Sequence, residues 1–262
     1  MSLRRTASTL LSTGVTVAII LGAWLAFIKY LSPNPLVARS PEDVWAYLVT
    51  GEGASAHRGL VWDGLSITLT DAGVGLVAGL VAAAVVAIVF VLSRMAERAF
   101  LPVAMIARSV PLIAMTPLIT LVFGRALLAT TVICGIVVFF PALVNIVSGL
   151  RSASPQATDL VRAYGGSTWT TTRKVMIPSA LPSFFTAARV SAPGAIVGAL
   201  LAEWLATGKG IGYQLLRDVS TFESDDLWAS VVAVTLASLL IYSLISVLEG
   251  VVLARFGSVP SR

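Results

Sequence analysis

Residues 159–182 read DLVRAYGGSTWTTTRKVMIPSALP, a polar, basic stretch set between long apolar runs. Just ahead of it, Ser154-Pro155 supplies an N-cap serine and a proline suited to the first helical turn. A helix begun there is expected to run to Tyr164. Gly165 stands where helices end in a left-handed residue, so Gly165-Gly166 reads as a hinge. Ser167 can cap a second helix, expected to stop near Ile177-Pro178. Leu160, Val161 and Tyr164 recur at spacings of three and four and give the first helix one apolar face, edged by Asp159 and Arg162. Such a helix, exposed to water, needs a partner to cover that face. The pattern suits a chain that receives mechanical work from a soluble partner on one side of a membrane.

The flanking composition puts the segment in that membrane. Of 262 residues, 57% are hydrophobic and 12% charged, with a mean hydropathy of +0.91. A soluble domain carries about 25% charged residues. The expected fold is an all-α integral membrane protein with about six transmembrane helices, one domain over residues 1–262, and no room for a nucleotide-hydrolysing domain. The isoelectric point near 9.8 does not argue for nucleic acid, because Arg and Lys concentrate in short loops, where they orient the chain. Cys134 lies in an apolar run with no second thiol, and His57 is the only histidine, so metal and disulfide chemistry find no ligand set.

The first span is expected over residues 10–31, uncleaved despite the basic Arg4-Arg5 start. Ser32-Pro33-Asn34-Pro35 ends it. Ser40-Pro41-Glu42-Asp43 then starts an outer interfacial helix over about 41–50, with Trp45 and Tyr47 as anchors. The second span is expected from Leu65 to Leu92, with Gly73, Gly75 and Gly79 allowing close packing, and His57 in a solvated loop before it. A third, over 100–123, is broken by Pro102, Pro111 and Pro117. The fourth covers Ala126 to Leu150. The fifth covers Phe184 to Leu205, interrupted at Pro193-Gly194. An outer loop over 206–226 precedes the sixth, Leu227 to Ala254. Arg94, Arg98, Arg151, Arg162, Arg173, Lys174, Arg255 and Arg262 join Arg4 and Arg5 on the inner side. This bias puts both termini in the cytoplasm.

Charges inside spans are costly and face a cavity, a partner or the interface. Asp71, Arg189 and Glu203 are such charges, readable as headgroup-level residues or as a structural or gating ion pair. The broken third span is the best candidate for a translocation pathway, through Ser109, Met115, Thr116 and Thr120, with Asn145 next. No Ser/His/Asp or paired-carboxylate constellation points to an enzyme. An ion-driven transporter would want more ionisable residues deep in several spans. A scaffold without transport remains open.

Asp159-Leu160-Val161, Gly165, Val175 and Ile177-Pro178 keep the spacing of the cytoplasmic "EAA" loop of binding-protein-dependent ABC transporter permeases. Asp replaces the Glu of that pattern, and Leu-Val replaces Ala-Ala. Arg108-Ser109-Val110-Pro111-Leu112-Ile113-Ala114, Pro117-Leu118, Phe123-Gly124, Phe139-Phe140-Pro141, Asn145, Ala202-Glu203 and Gly208-Lys209-Gly210-Ile211-Gly212-Tyr213 are similar to motifs of the nitrate/sulfonate/taurine branch. The likeness covers a core of about 60–255, and Ser32-Pro33 to Val44 resembles that branch's outer segment. The resemblance implies a permease subunit in the cytoplasmic membrane, paired with a second copy as a homodimer. It also implies a cytoplasmic ABC ATPase dimer docked on Asp159, Leu160, Val161, Arg162, Tyr164, Gly165, Gly166, Ser167 and Pro178. The same resemblance implies an extracytoplasmic binding protein that delivers the solute, with ATP and magnesium in the ATPase and no cofactor expected on this chain. It gives Glu203 a candidate place on the pathway.

Overall fold

A bilayer offers no hydrogen bonds to the backbone, so an apolar chain of this kind must satisfy its amides within helices. The computed structural model describes residues 3–31 and 37–256 and contains no strand among them. The expected stop at Ser32–Pro35 and the basic Arg262 lie outside the described residues. In chain order the helices are α1 (Leu3–Leu31), α2 (Pro41–Trp45), α3 (Ala54–Leu92), α4 (Arg94–Ser109), α5 (Leu112–Phe123), α6 (Leu127–Arg151), α7 (Pro155–Ala163), α8 (Thr168–Thr171), α9 (Ile177–Ala202), α10 (Gly210–Thr221) and α11 (Ser224–Phe256). Wider π turns follow α2 (Ala46–Thr50), α8 (Thr172–Met176) and α9 (Glu203–Thr207).

Among the described residues, four helical stretches are long and apolar enough to cross a membrane: Ala54–Leu92, Leu127–Arg151, Thr168–Thr207 and Ser224–Arg255. Gly14–Tyr30 and Leu112–Phe123 are shorter apolar helices. The second, fourth, fifth and sixth expected spans fall on the long stretches, and the first and third on the shorter ones.

Four expectations need correction. The second span starts at Ala54 rather than Leu65, and its 39 residues rise about 58 Å, well beyond the roughly 30 Å hydrocarbon core. His57 therefore sits on a helix. Its ring stacks on Tyr47 with centroids 3.9 Å apart, and Nδ1 lies 3.2 Å from the Tyr47 carbonyl. Next, residues 206–226 are not a loop. Ile211, Gln214, Leu215 and Asp218 fall three and four apart, Ile211 and Asp218 are buried, and α10 forms on that stripe.

The helix begun at Ser167 does not stop at Ile177-Pro178, nor is the fifth span interrupted at Pro193-Gly194. The chain is helical from Thr168 to Thr207. A proline clashes with the carbonyl four residues back. The π turn Thr172–Met176 lies where Pro178 would meet the Lys174 carbonyl, and its wider winding takes up the misfit. Around Pro193, packing holds the helix together: Ala187, Ala192, Ala195, Ala199 and Ala202 are all buried.

The described residues fall into two compact units, one from 1–63 with 214–233, the other from 64–213 with 234–262. The core of the second is a small-residue seam along α3, α6 and α9, including Ala83, Ala87, Cys134, Val138, Ala142, Ala187 and Ala199. Cys134 is fully buried. A Cβ on Gly75 would lie 2.1 Å from Cys134 Cβ, and one on Gly198 would lie 2.9 Å from Cys134 Cα. Only hydrogen fits there, which is what lets three backbones meet in an apolar solvent. Gly73 meets nothing within 4 Å.

In the first unit, the expected capping of α2 is present as a full capping box. Ser40 Oγ accepts from the Asp43 amide at 3.2 Å, and the Asp43 carboxylate accepts from the Ser40 amide at 2.8 Å. The Ser40 backbone and hydroxyl bonds hold the Asp43 carboxyl below its ordinary value. Arg39 donates to both oxygens of Asp225, which raises its own pKa. Tyr47 donates to Asp226 at 2.6 Å, and burial pushes its phenol up. Trp24 stacks on Trp228 at 5.2 Å. Thus Tyr47 is held by protein, while Trp45 remains exposed.

Candidate coupling loop and transport pathway

The loop builds as its residues dictate. Ser154 Oγ accepts from the Ala157 amide, Pro155 opens α7, and Tyr164 closes it. The Gly165 amide donates to the Arg162 carbonyl at 2.9 Å, and the Gly166 amide donates to the Val161 carbonyl at 2.9 Å. With Gly165 at φ +79° this is a Schellman end. A Cβ on Gly166 would fall 2.5 Å from Val161 Cγ1, so the second glycine is needed for space. Ser167 Oγ then accepts from the Thr170 amide at 3.2 Å. Leu160 is 59% and Tyr164 87% exposed. Val161 is half-buried, and Asp159 and Arg162 are exposed. Pro178 lies in the first turn of α9. Trp169, also exposed, extends the apolar surface. Its place at the start of a short helix did not mark it in the sequence.

The proline-broken segment is real at one point. α4 ends at Ser109, Pro111 caps α5, and Pro102 and Pro117 sit inside helices. The break opens a cavity of about 370 Å³ against α6, lined among others by Ser109, Pro111, Met115, Val137, Phe140 and Pro141. Thr116, Thr120 and Asn145 are not among its lining. Thr116 is fully buried and donates to Leu112 O at 3.1 Å. Thr120 donates to Thr116 O and Pro117 O. Asn145 donates to Pro141 O at 2.9 Å.

Glu203 has no exposed surface. Its Oε2 accepts from Thr68 Oγ1 at 2.9 Å and from the Gly212 amide at 2.8 Å. Thr68 Oγ1 in turn accepts from the Ile211 amide at 3.0 Å. The carboxylate thus faces the first turn of α10, where free amides and the helix dipole favour negative charge. Gly210, at φ +84°, leaves no room for a Cβ, which would fall 2.3 Å from Glu203 Cδ. Thr68 and the Gly212 amide are neutral, so neither forms an ion pair with Glu203. Asp71 is buried on α3. Arg189 pairs instead with Glu249 at 3.0 Å, and its guanidinium lies 5.7 Å from the Tyr242 ring centre. Glu249 lies inside the sixth apolar run, so the signal that marks Asp71, Arg189 and Glu203, a charge within a span, was available for it too, although its pairing with Arg189 was not.

These features define a class: an all-helical, multi-span membrane protein with a capped, exposed helix–glycine–helix loop and a proline-opened cavity. The family model for the binding-protein-dependent transport system inner membrane component matches residues 75–257, and the chain belongs to this family. It is 29% identical to the formylaminopyrimidine transport permease protein of Halalkalibacterium halodurans, over 72% of this chain and 76% of that one. It is 27% identical to a probable ABC transporter permease protein of Haemophilus influenzae, over 89% and 93%. It is 23% identical to the taurine transport system permease protein of Escherichia coli, over 86% and 82%. These and further sulfonate and nitrate relatives place it in the nitrate/sulfonate/taurine branch. A crystal structure of an amino acid ABC transporter with histidines shares the fold at TM-score 0.58 and 16% identity, covering 74% of this chain and 95% of that one.

Proposed function

We propose that this chain is the transmembrane subunit of an ATP-driven importer, a single permease domain over residues 1–262. The observation that carries the reading is the loop: a capped α7 whose Leu160 and Tyr164 side chains stand exposed beside a rigid glycine hinge. An apolar face held in water by a defined helix end is a docking surface. The family's architecture supplies the occupant, a cytoplasmic ABC ATPase dimer carrying ATP and magnesium. The contacts fall on Asp159, Leu160, Val161, Arg162, Tyr164, Gly165, Gly166, Ser167 and Pro178. Hydrolysis belongs to that partner, and this chain serves as a conduit rather than an enzyme.

A second copy completes the pathway as a homodimer in the cytoplasmic membrane, with both termini inside. An extracytoplasmic binding protein delivers the solute. Closing of the ATPases moves the loop as a lever, and the cavity changes its open side by rigid-body motion. Differential contact of the loop with the two ATPase states supplies the coupling. Ser109, Met115, Thr116, Thr120, Asn145 and Glu203 are the candidate pathway residues, and Ser109 and Met115 line the cavity. The relatives' names frame the cargo as a small anion such as a sulfonate, taurine or nitrate, or as a thiamine-precursor-like heterocycle. Uptake by proteoliposomes containing this chain, its ATPase and its binding protein tests the reading. Accumulation that requires ATP upholds it. Uptake driven by a proton or sodium gradient without ATPase overturns it.

A further inference from the structure

One exposed aromatic residue is held in a backbone that ordinarily excludes it. α10 ends in a Schellman turn, in which the Glu223 amide donates to the Asp218 carbonyl at 2.9 Å. That turn puts Phe222 at the left-handed position, with φ +61°. Glycine is the usual occupant, because a Cβ is strained there. The chain itself uses glycine at Gly165 and Gly208, and Phe222 is the only non-glycine with a positive φ among the described residues. The Ser224 amide donates to the Phe222 carbonyl at 3.0 Å, so the backbone is pinned on both sides. Burial does not offset the strain, since Phe222 is 83% exposed. Val219 and Leu216, three and six positions earlier, are exposed as well, and so is Glu223.

Strain kept at an exposed position points to a use for the side chain it holds; what that use is rests on the permease reading above. The stretch Thr168–Thr207 begins at the coupling loop, the stretch Ser224–Arg255 follows Phe222, and each is long and apolar enough to cross a membrane. The segment between them therefore emerges on the side away from the ATPase, where a permease of the binding-protein-dependent family receives its solute. A fluid lipid surface takes up a ring from any backbone, so fixing its direction gains nothing there. A shaped protein pocket favours a ring whose direction is fixed beforehand, and aromatic residues are enriched at such interfaces. We propose that Phe222 anchors the extracytoplasmic binding protein. Its ring enters an apolar socket on that protein, Val219 and Leu216 pack at the edge, and Glu223 meets a basic group on the rim.

Binding of the cognate binding protein to the full-length chain in lipid nanodiscs, with its ATPase present, tests this. Glycine suits the backbone at position 222, so Phe222→Gly is expected not to lower the thermal midpoint. The same variant is expected to weaken binding-protein affinity about tenfold, while Phe222→Tyr, which keeps the ring, retains most of it. A ring that only packs within the fold would give the opposite pattern, a lowered midpoint with unchanged affinity. Equal affinity of Phe222→Gly and wild type overturns the proposal, and so does a lowered midpoint in Phe222→Gly. The two readings fail distinguishably. ATP-dependent uptake by wild type together with equal affinity keeps the permease and removes the anchor. Wild type that shows no ATP-dependent uptake and binds no binding protein removes the permease reading and the anchor with it.

Discussion

The carboxylate of Glu203 accepts a hydrogen bond from the backbone amide of Gly212, 2.8 Å away and nine residues on. The same oxygen takes the hydroxyl of Thr68 from α3. A charge-bearing side chain thus closes the start of α10 from outside that helix, in a place with no exposed surface. Removing it leaves the Gly212 amide without this acceptor where water does not reach, and takes one partner from the Thr68 hydroxyl, which keeps its bonds to the Gly64 carbonyl and the Ile211 amide. Glu203→Ala is expected to destabilise the protein on the order of 3 kcal/mol. Glu203→Gln, which keeps an acceptor oxygen, is expected to cost less. Thermal unfolding in detergent, followed for both variants, checks the order. Equal loss in the two would show that the charge rather than the acceptor matters.

Gly210 gives an independent test of the same contact. Its φ of +84° and the missing room for a Cβ make Gly210→Ala costly on two counts, strain and clash. The thermal midpoint is expected to fall. Gly124→Ala, also at positive φ but with open space around it, is expected to cost less, since strain alone acts there.

Arg189 and Glu249 form an ion pair between two candidate spans. Neutralising one partner strands the other in a poorly solvated place. Either Arg189→Met or Glu249→Gln alone is expected to destabilise by about 3 kcal/mol. The double variant is expected to recover much of that loss, and a double-mutant cycle on unfolding free energies reads the coupling. Additive losses would mean that the pair contributes nothing jointly.

The capping box of α2 responds to pH. Bonds from the Ser40 backbone and hydroxyl depress the Asp43 pKa in the folded state. The stabilisation is therefore fully present above the unfolded aspartate value of about 3.9. It is lost as pH falls through the lower folded value. Hydrogen-exchange protection over residues 41–50, labelled after incubation at pH 6 and at about pH 3, is expected to drop at the lower pH. Asp43→Asn is expected to remove most of that dependence.

The chain's own pattern carried the membrane class, the helix caps and the break at Pro111, because each rests on local chemistry: apolar length, a serine before a proline, a missing amide. It misled where packing overrides local preference. Pro178 and Pro193 read as stops, yet a π turn and an alanine face against α6 carry the helix through both. Residues 206–226 read as a loop because their charges are dense, while the buried stripe of Ile211 and Asp218 makes α10. In the loop, the exposed face of Leu160 and Tyr164 and the helix end at Gly165 were legible from spacing and capping. The partners of Glu203 and Arg189 were not, since Thr68 and Glu249 lie 135 and 60 positions away and only the fold brings them together.

Under the proposed function, α7 and its glycine hinge dock an ATPase. Co-purification of the full-length chain with its cognate ABC ATPase tests it most directly, comparing wild type with Leu160→Asp/Tyr164→Asp. Both side chains are exposed, so the fold should survive, as an unchanged thermal midpoint would verify. A stable wild-type complex and its loss in the double variant are expected. An ATPase that binds the double variant as well as wild type, or that binds neither, would contradict it.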